Sequence, residues 1–487
     1  MAKIDGELMK GKEEKLNSSV LNTYPVLEEA ELDELLLKEI EKNDVKFVVL
    51  DDDPTGVQTV HDISVYTDWT VESMKKGLAD SNKVFYVLTN SRGMTEAETT
   101  KIHREILQAV SQAAKEEDRR YLFISRSDST LRGHYPLETC LLKDGMEKDG
   151  RKIDGEVLFP FFKEGGRFTI DNIHYVKYGE ELVPAAQTEF AKDRTFGYTH
   201  SSIPAYIEEK TKGQYRAEDV ICISLEDIRN KDFDKMTEQL LKVNGFNKIC
   251  VNAIDYCDAK VFCIALYRAM EMGKNFMFRT AAGFVKVVGG ITDRPLLTRK
   301  EMVVKETENG GIVVVGSHTA KTTAQLEELL KLEYVVPVEF KSSTVLQGEA
   351  AFDREVERCV AEEEKIIRSG RTAVCFTERT LLTVENDTKE SALLRSVKIS
   401  DGVQRLVGNL SITPAFVIAK GGITSSDVGT KALQVKCANV LGQIRPGIPV
   451  WQTGVESRFP QTPYVIFPGN VGEDRTLREA VEVLCAR

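Results

Sequence analysis

Three consecutive carboxylates, Asp51, Asp52 and Asp53, follow directly on the apolar run Phe47-Val48-Val49-Leu50 and lead into Pro54-Thr55-Gly56. The apolar run reads as a short buried strand. Pro54 fixes φ and Gly56 tolerates positive φ, so the chain turns there. Adjacent carboxylates repel one another unless cations, amides or ligand hydroxyls compensate them. Ligands bind at the carboxyl ends of strands in open α/β sheets. An acidic triplet alone is ordinarily a solvated turn, but strand, triplet and turn together favour chemistry. Asp51 continues the strand and reads as structural, bonding nearby backbone amides. Strand alternation cannot separate the roles of Asp52 and Asp53, because the Pro54 turn interrupts it. Asp53 precedes proline, which biases it towards an extended conformation reaching out of the sheet.

Further polar turns stand at the ends of other apolar runs. Val84 to Leu88 ends in Thr89-Asn90-Ser91-Arg92-Gly93, and Tyr121 to Ser125 ends in Arg126-Ser127-Asp128-Ser129-Thr130-Leu131-Arg132-Gly133-His134. Gly165-Gly166-Arg167 supplies another arginine. Arg92, Arg126, Arg132 and Arg167 present rigid forks suited to a carboxylate, or else form structural ion pairs. His61 and His134 are isolated and read as helper or packing residues rather than metal ligands. In the second half, Gly316-Ser317, Gly421-Gly422 and Gly469-Asn470 stand at strand ends. Glycine lets backbone N–H groups approach phosphate oxygens, and a following helix adds its positive end. Thr424, Ser425 and Ser426 add hydroxyls for capping or phosphate binding. The GSHTAKT segment is not a P-loop, since it lacks the second glycine and its lysine comes one position early.

The elements that must position these groups alternate between strand and helix, which predicts an α/β fold of two α/β domains. Each would hold a largely parallel or mixed sheet flanked by helices, with the active site in the cleft between them. At 487 residues two domains are the natural prior. The expected boundaries are an N-terminal arm and helix over 1–44, a first domain over 45–297, a polar linker over 298–311 and a second domain over 312–487. Residues 28–43 predict an amphipathic helix, and Thr95 with Glu98 predicts a capping box opening a helix whose buried stripe is Ile102, Ile106, Val110 and Ala113. A hairpin is expected over residues 173–182. The first two dozen residues read as a loosely packed arm.

The composition is 42% hydrophobic and 29% charged with a net charge of −11, which argues against a nucleic-acid surface. No run reaches transmembrane length and the start lacks an apolar signal-peptide core, so no membrane partner is expected. Nine cysteines without CxxC or Cys/His clusters fit a reduced, cytoplasmic location.

Two readings of the opening stretch compete. Asp51-x-Asp53-x-Thr55 after an apolar strand fits the haloacid-dehalogenase phosphatase signature. Its later acidic motif has only Asp255-x-x-Asp258 as a substitute, its motif lysine is not evident, and the second half stays unexplained. Alternatively DDDPTG, TNSR, SDSTLRGH, GGRFTIDNIHYV, GS, GGITSSDVG and PGNVG, in that order, resemble the four-carbon acid sugar kinase family from residue 47 to the C-terminus. The resemblance implies an N-terminal domain holding a sugar acid and a C-terminal domain holding ATP, with Mg²⁺ as cofactor. Asp52, Asp53 and Thr55 fall on the family's DDxTG, and Asp128, Ser129, Thr130, Arg132 and Gly133 on its DSTLRG. Ser317, Thr319, Gly421, Gly422, Ile423, Thr424, Ser425, Gly469, Asn470 and Gly472 fall on its nucleotide segments. Ser91, Arg92 and Arg167 join the acid-binding set. Pro468 stands where many members have Ser, and Ile423 where many have Glu.

The expected reaction is phosphorylation of a sugar-acid hydroxyl, with Asp53 as base and Asp52 orienting substrate or metal. A catalytically silent sugar-acid sensor is the third reading. Partners are a sugar acid and ATP, with a homodimer left open.

Overall fold

The structure is a computed structural model that describes residues 13–380, 382, 384, 387–469 and 471–486. The fold is α/β, and the chain divides into two compact units. One comprises the chain up to Asp52 with residues 78–84 and 91–291; the other comprises 53–77, 85–90 and the chain from Thr292. The division passes through the acidic triplet, between Asp52 and Asp53. Residues 53–77 and 85–90 thus cluster with the later chain, which chain order alone does not reveal.

The first unit carries six parallel strands in the order Ile221–Ile223, Asn247–Val251, Gly155–Phe159, Phe276–Thr280, Tyr121–Arg126 and Lys46–Asp51. Four of them, Gly155–Phe159, Phe276–Thr280, Tyr121–Arg126 and Lys46–Asp51, are buried along their whole length, as continuous apolar runs covered on both faces require. Phe276–Thr280, which the sequence reading passed over, sits centrally between Gly155–Phe159 and Tyr121–Arg126. The expected amphipathic helix is Glu29–Lys42. The Thr95–Glu98 capping box opens Glu96–Glu116, whose buried face is Thr99, His103, Ile106, Ala109, Val110, Ala113 and Ala114, with Ile102 only half-buried. The expected hairpin forms from Ile173–Tyr178 and Glu181–Pro184 and joins a second, antiparallel sheet with Arg167–Ile170. Leu16–Asn17 completes that sheet, and the Glu13 carboxylate accepts bonds from the Ser201 and Ser202 amides at 2.6 and 3.0 Å. From Glu13 onward the arm is therefore docked rather than loose; residues 1–12 lie outside the described part.

The second unit carries the order Val84–Leu88, Ile63–Tyr66, Cys437–Arg445, Ile448–Thr453, Pro463–Phe467, Val417–Lys420, Ile312–Val315, Thr372–Thr377 and Val335–Phe340, with Val84 itself assigned to the first unit. The last five are mutually parallel, and the Cys437–Arg445 and Ile448–Thr453 strands pair antiparallel. The stretch read as a linker, 298–311, begins with a capped helical turn, Arg299–Met302, and buries Met302 and Val303 in this unit's core. No helix among the described residues is long and apolar enough to cross a membrane.

One buried group sets a pH dependence. Glu363 on the Glu349–Arg368 helix is fully buried, and neither carboxyl oxygen has a hydrogen-bond partner among the described residues. Burial pushes it up to about 8, so it folds protonated. Between its unfolded value of 4.5 and about 8 the native state holds the extra proton. Stability is therefore lost as pH rises through that window. Glu363→Gln is expected to match the wild type near pH 4.5 and to become progressively more stable than it at higher pH, by up to a few kcal/mol at roughly 1.4 per pK unit. Thermal melts across the window check this.

Candidate functional site

In the first unit, parallel register sets Asp51 directly opposite Arg126, and Arg126 Nη1 donates to Asp51 Oδ1 at 2.9 Å. Both are buried. Asp52, 3% exposed, takes both ends of the Arg92 fork, from Nε at 3.1 Å and Nη2 at 2.5 Å, and accepts the Ser127 hydroxyl. A charge-assisted bidentate pair with a third donor leaves this carboxylate heavily committed.

The RSDSTLRGH loop folds around Asp128. Arg132 Nε donates to Asp128 Oδ2 at 2.6 Å, and the Thr130 hydroxyl donates to the same carboxylate. Burial would raise Asp128, but Arg92, Arg132 and these bonds outweigh it and hold the group well below the usual carboxylate range. Gly133 has φ +122°, and a Cβ there would meet Ser127 Oγ at 2.6 Å, Arg279 Nη2 at 3.1 Å and Asp52 Oδ2 at 3.4 Å. Arg279 donates from Nη2 to the Arg132 carbonyl at 2.7 Å. Arg132 and Arg167 lie over the Phe190 ring, their guanidinium carbons 5.0 and 5.6 Å from its centroid. Burial pulls Arg167 below its ordinary value, with Asp128 opposing.

Histidines brace these loops. His174 sits at the base of the hairpin, is pushed down to about 4 by burial, and pairs through Nε2 with the Ser129 carbonyl at 2.7 Å. His134 Nε2 lies 3.1 and 3.0 Å from the Ser91 and Met94 carbonyls. Ser91 is fully buried and donates to Glu138 Oε1 at 2.7 Å, while the Thr130 carbonyl accepts from Tyr198. Ser91, Ser129 and Thr130 therefore shape the loops through bonds within the protein. Arg92, Asp128, Arg132, Gly133 and Arg167 share the charged cluster with Asp52.

In the second unit, Asp53 caps the Pro54–Val57 turn, its Oδ1 accepting from the Thr55 amide at 2.8 Å and hydroxyl at 2.6 Å. Thr55, expected beside the acid, is thus Asp53's partner in the other unit. This turn packs on the Gly422–Asp427 helix, and a Cβ at Gly422 would lie 4.0 Å from Asp53 Oδ2. Gly421 has φ +116°, a conformation that L side chains rarely adopt. Gly316, Gly421 and Gly469 follow the adjacent strands Ile312–Val315, Val417–Lys420 and Pro463–Phe467, so three turns share one carboxyl edge.

Thr319 caps the Ala320–Leu329 helix, and the Ser317 and Thr322 hydroxyl oxygens are 3.3 Å apart. Thr424 is buried, a Cβ at Gly316 meeting its Oγ1 at 2.5 Å, and Ile423 is 76% exposed. Ser425 is buried and donates to the Ala419 carbonyl at 2.8 Å, a structural bond rather than an open hydroxyl. Gly472 has φ +82° against Thr476. Asn470 lies outside the described residues.

Three participants escaped the sequence reading. Arg279 and Ser127 end or follow strands of the first sheet, and the FMFRT run carried the signal for Arg279. Lys420 ends its strand fully buried and donates to the Pro468 and Gly469 carbonyls at 2.8 and 3.2 Å, tying the GGITSS and PGN turns together. Burial, aided by Lys321, pushes it down to about 7. The suspected acidic motif is a helix cap: Asp255 and Asp258 form the capping box of Tyr256–Glu271, and Asp258 pairs with Arg229 at 2.6 Å. Among the described residues no group of three or more His, Cys, Asp or Glu could hold a metal.

Residues 47–288 match the family model described as a sugar-binding N-terminal domain, and residues 312–477 the one described as a nucleotide-binding C-terminal domain. The chain belongs to the four-carbon acid sugar kinase family, whose two domains it carries in order. Among solved structures it is similar to Haemophilus influenzae protein HI1011, at 15% identity and TM-score 0.60, over 90% of this chain and 100% of that one. It is also similar to a Salmonella typhimurium LT2 protein provisionally named a tRNA synthase, at 14% identity and TM-score 0.64, over 89% and 98%. At these identities the likeness speaks for the fold. No curated protein sequence matches significantly.

Gly133→Ala is expected to cost about 1–3 kcal/mol, the range for backbone strain at such a position. Gly93→Ala, whose Cβ would meet nothing within 4 Å, should change little. Chemical denaturation of the two variants checks the contrast.

Proposed function

We propose that the protein is an ATP-dependent kinase that phosphorylates a hydroxyl of a small, four-carbon sugar acid. The observation that carries this reading is the division of the triplet. Asp52 is locked by Arg92 and Ser127 in the sugar-binding unit, while Asp53 stands against Gly422 in the nucleotide-binding unit. The guanidinium groups of Arg92, Arg132, Arg167 and Arg279 bind the acid's carboxylate, and Asp128 orients those forks or accepts substrate hydroxyls. Asp53 takes the proton of the attacking hydroxyl, with Thr55 fixing its rotamer.

ATP fits the residues present: Gly421 and Gly422 bring bare backbone to the phosphates, and Lys420 holds the neighbouring turn. Mg²⁺ fits as well, since it commonly uses one or two carboxylates plus substrate phosphates rather than a protein cage. The ion would supply charge neutralisation on the phosphates beside the glycine turns, with Asp53 left to accept the proton. Positioning and electrostatics carry most of this chemistry. The nine cysteines, none in a disulfide, support a cytoplasmic location. The phosphatase reading lacks support, because Asp51, its nucleophile, is 1% exposed and paired with Arg126.

With MgATP and a suitable four-carbon sugar acid the protein should release ADP and form a phosphorylated acid. A coupled ADP-release screen over sugar acids tests this, and hydrolysis of phosphoesters without ATP would sink it. Asp53→Asn should retain acid binding but lower kcat by roughly 10²–10⁴-fold, the range for a lost general base. Normal turnover by Asp53→Asn alongside an inactive Asp52→Asn would reverse their roles. Gly421→Val should abolish ATP binding while calorimetry still detects the acid.

A further inference from the structure

The amino-terminal edge of the first unit's sheet holds a concave surface, at the end of the strands opposite the Asp52 cluster. Its volume is about 510 Å³, within the range of small-molecule sites. The floor is apolar and buried: Val45, Leu122, Met146 and Ile153. The rim carries Lys115, Arg119, Arg120, Arg151 and Lys152 against a single acid, Asp118. In a chain of net charge −11 such a local excess of cations is an anomaly.

Two matching turns build the rim. After Glu96–Glu116, Asp118 takes φ +47° and is followed by Arg119-Arg120; after Leu137–Lys148, Gly150 takes φ +80° and is followed by Arg151-Lys152. Cations near helix C-termini often serve the helix dipole. Here, however, the Ala114 and Met146 carbonyls receive the backbone amides of Arg119 and Arg151, at 3.0 and 2.9 Å. Arg119 has no ion-pair partner among the described residues, and Arg151 has no carboxylate partner but lies 4.1 Å over the Tyr121 ring, which holds its fork in place. Lys115 is 3.9 Å from Asp149, a loose pair, whereas Arg120 and Lys152 are closed on Asp44 and Asp154. Lys46, at the start of its strand, is pushed down to about 8 by burial, with Asp80 opposing and Arg119 and Lys83 adding to the shift. Arg119 and Arg151 are thus the rim cations left without a carboxylate partner among the described residues.

We infer that this groove binds a small phosphorylated metabolite, its phosphate held by Arg119 and Arg151 and its carbon body on the apolar floor, at a site separate from the one that takes the sugar acid. Arginine forks match phosphate oxygens in a bidentate manner, and the groove suits a compact ligand rather than an extended one. Nothing in this assignment depends on the kinase reading.

Calorimetry with inorganic pyrophosphate tests it, in about 0.15 M salt, where screening beyond roughly 8 Å suppresses diffuse attraction. Excess ADP is present to occupy the nucleotide-binding unit. The wild type should bind, and the Arg119→Ala/Arg151→Ala variant should bind roughly tenfold or more weakly, with unchanged melting temperature and unchanged basal turnover. Arg119→Gln alone should give an intermediate loss. The proposal is overturned if the wild type does not bind, if the double variant binds equally, or if a short RNA oligomer binds more tightly than pyrophosphate and is lost in the same variant.

Discussion

Charge compensation of three successive carboxylates is the constraint on which the rest depends. Like charges about 4 Å apart cost on the order of 4 kcal/mol near a protein surface, so each aspartate needs its own answer. Asp51 receives Arg126 from the neighbouring strand, Asp52 receives the Arg92 fork and Ser127, and Asp53 receives the Thr55 amide and hydroxyl. Each partner comes from a different element. The order of strands, the shape of the TNSRG loop and the Pro54 turn are all tied to the need to hold acidic groups side by side. Because the first two answers lie in one unit and the third in the other, consecutive residues belong to different compact units.

The arginine side of that balance is itself braced by groups that carry no charge. The RSDSTLRGH loop must bring Arg132 back onto Asp128 within four residues, which the left-handed Leu131 and the open φ of Gly133 allow. Gly133 also leaves room for Ser127 to reach Asp52. His174, kept neutral by burial, and Tyr198 then hold the Ser129 and Thr130 carbonyls. The antiparallel sheet thus supports the site as well as extending the unit, and its outermost strand is the docked N-terminal arm.

Much of this was legible in the chain. Several buried strands announced themselves as unbroken apolar runs, and the Thr95 capping box was readable from spacing alone. The arginines Arg92 and Arg132 were recognisable because they stand in polar turns after strands, and Arg167 because it follows paired glycines. What was not legible depended on contacts distant in sequence. Ser91 looks like a ligand group until Glu138, 47 residues later, claims its hydroxyl. Ile63–Tyr66 is too short to stand out, and its pairing with Cys437–Arg445 lies far along the chain. Arg279 lies in a run passed over as a strand, and Lys420 stood in the shadow of the Gly421-Gly422 turn that follows it. Asp255 and Asp258 imitated a catalytic pair because a capping box uses the same residue types at the same spacing.

The contrast between Asp52 and Asp53 also bears on which can act as a base in the proposed reaction. A base needs an oxygen that can approach a hydroxyl and accept its proton. Both Asp52 oxygens already accept from arginine, and Ser127 adds a further donor, so protonating Asp52 would break a buried, charge-assisted network. Asp53 concentrates its capping bonds on Oδ1, both of them from Thr55, and turns Oδ2 towards Gly422. The Thr55 amide and hydroxyl fix its rotamer. A fixed rotamer and a glycine opposite suit a proton acceptor beside a phosphate. The locked neighbour holds the arginine fork in place.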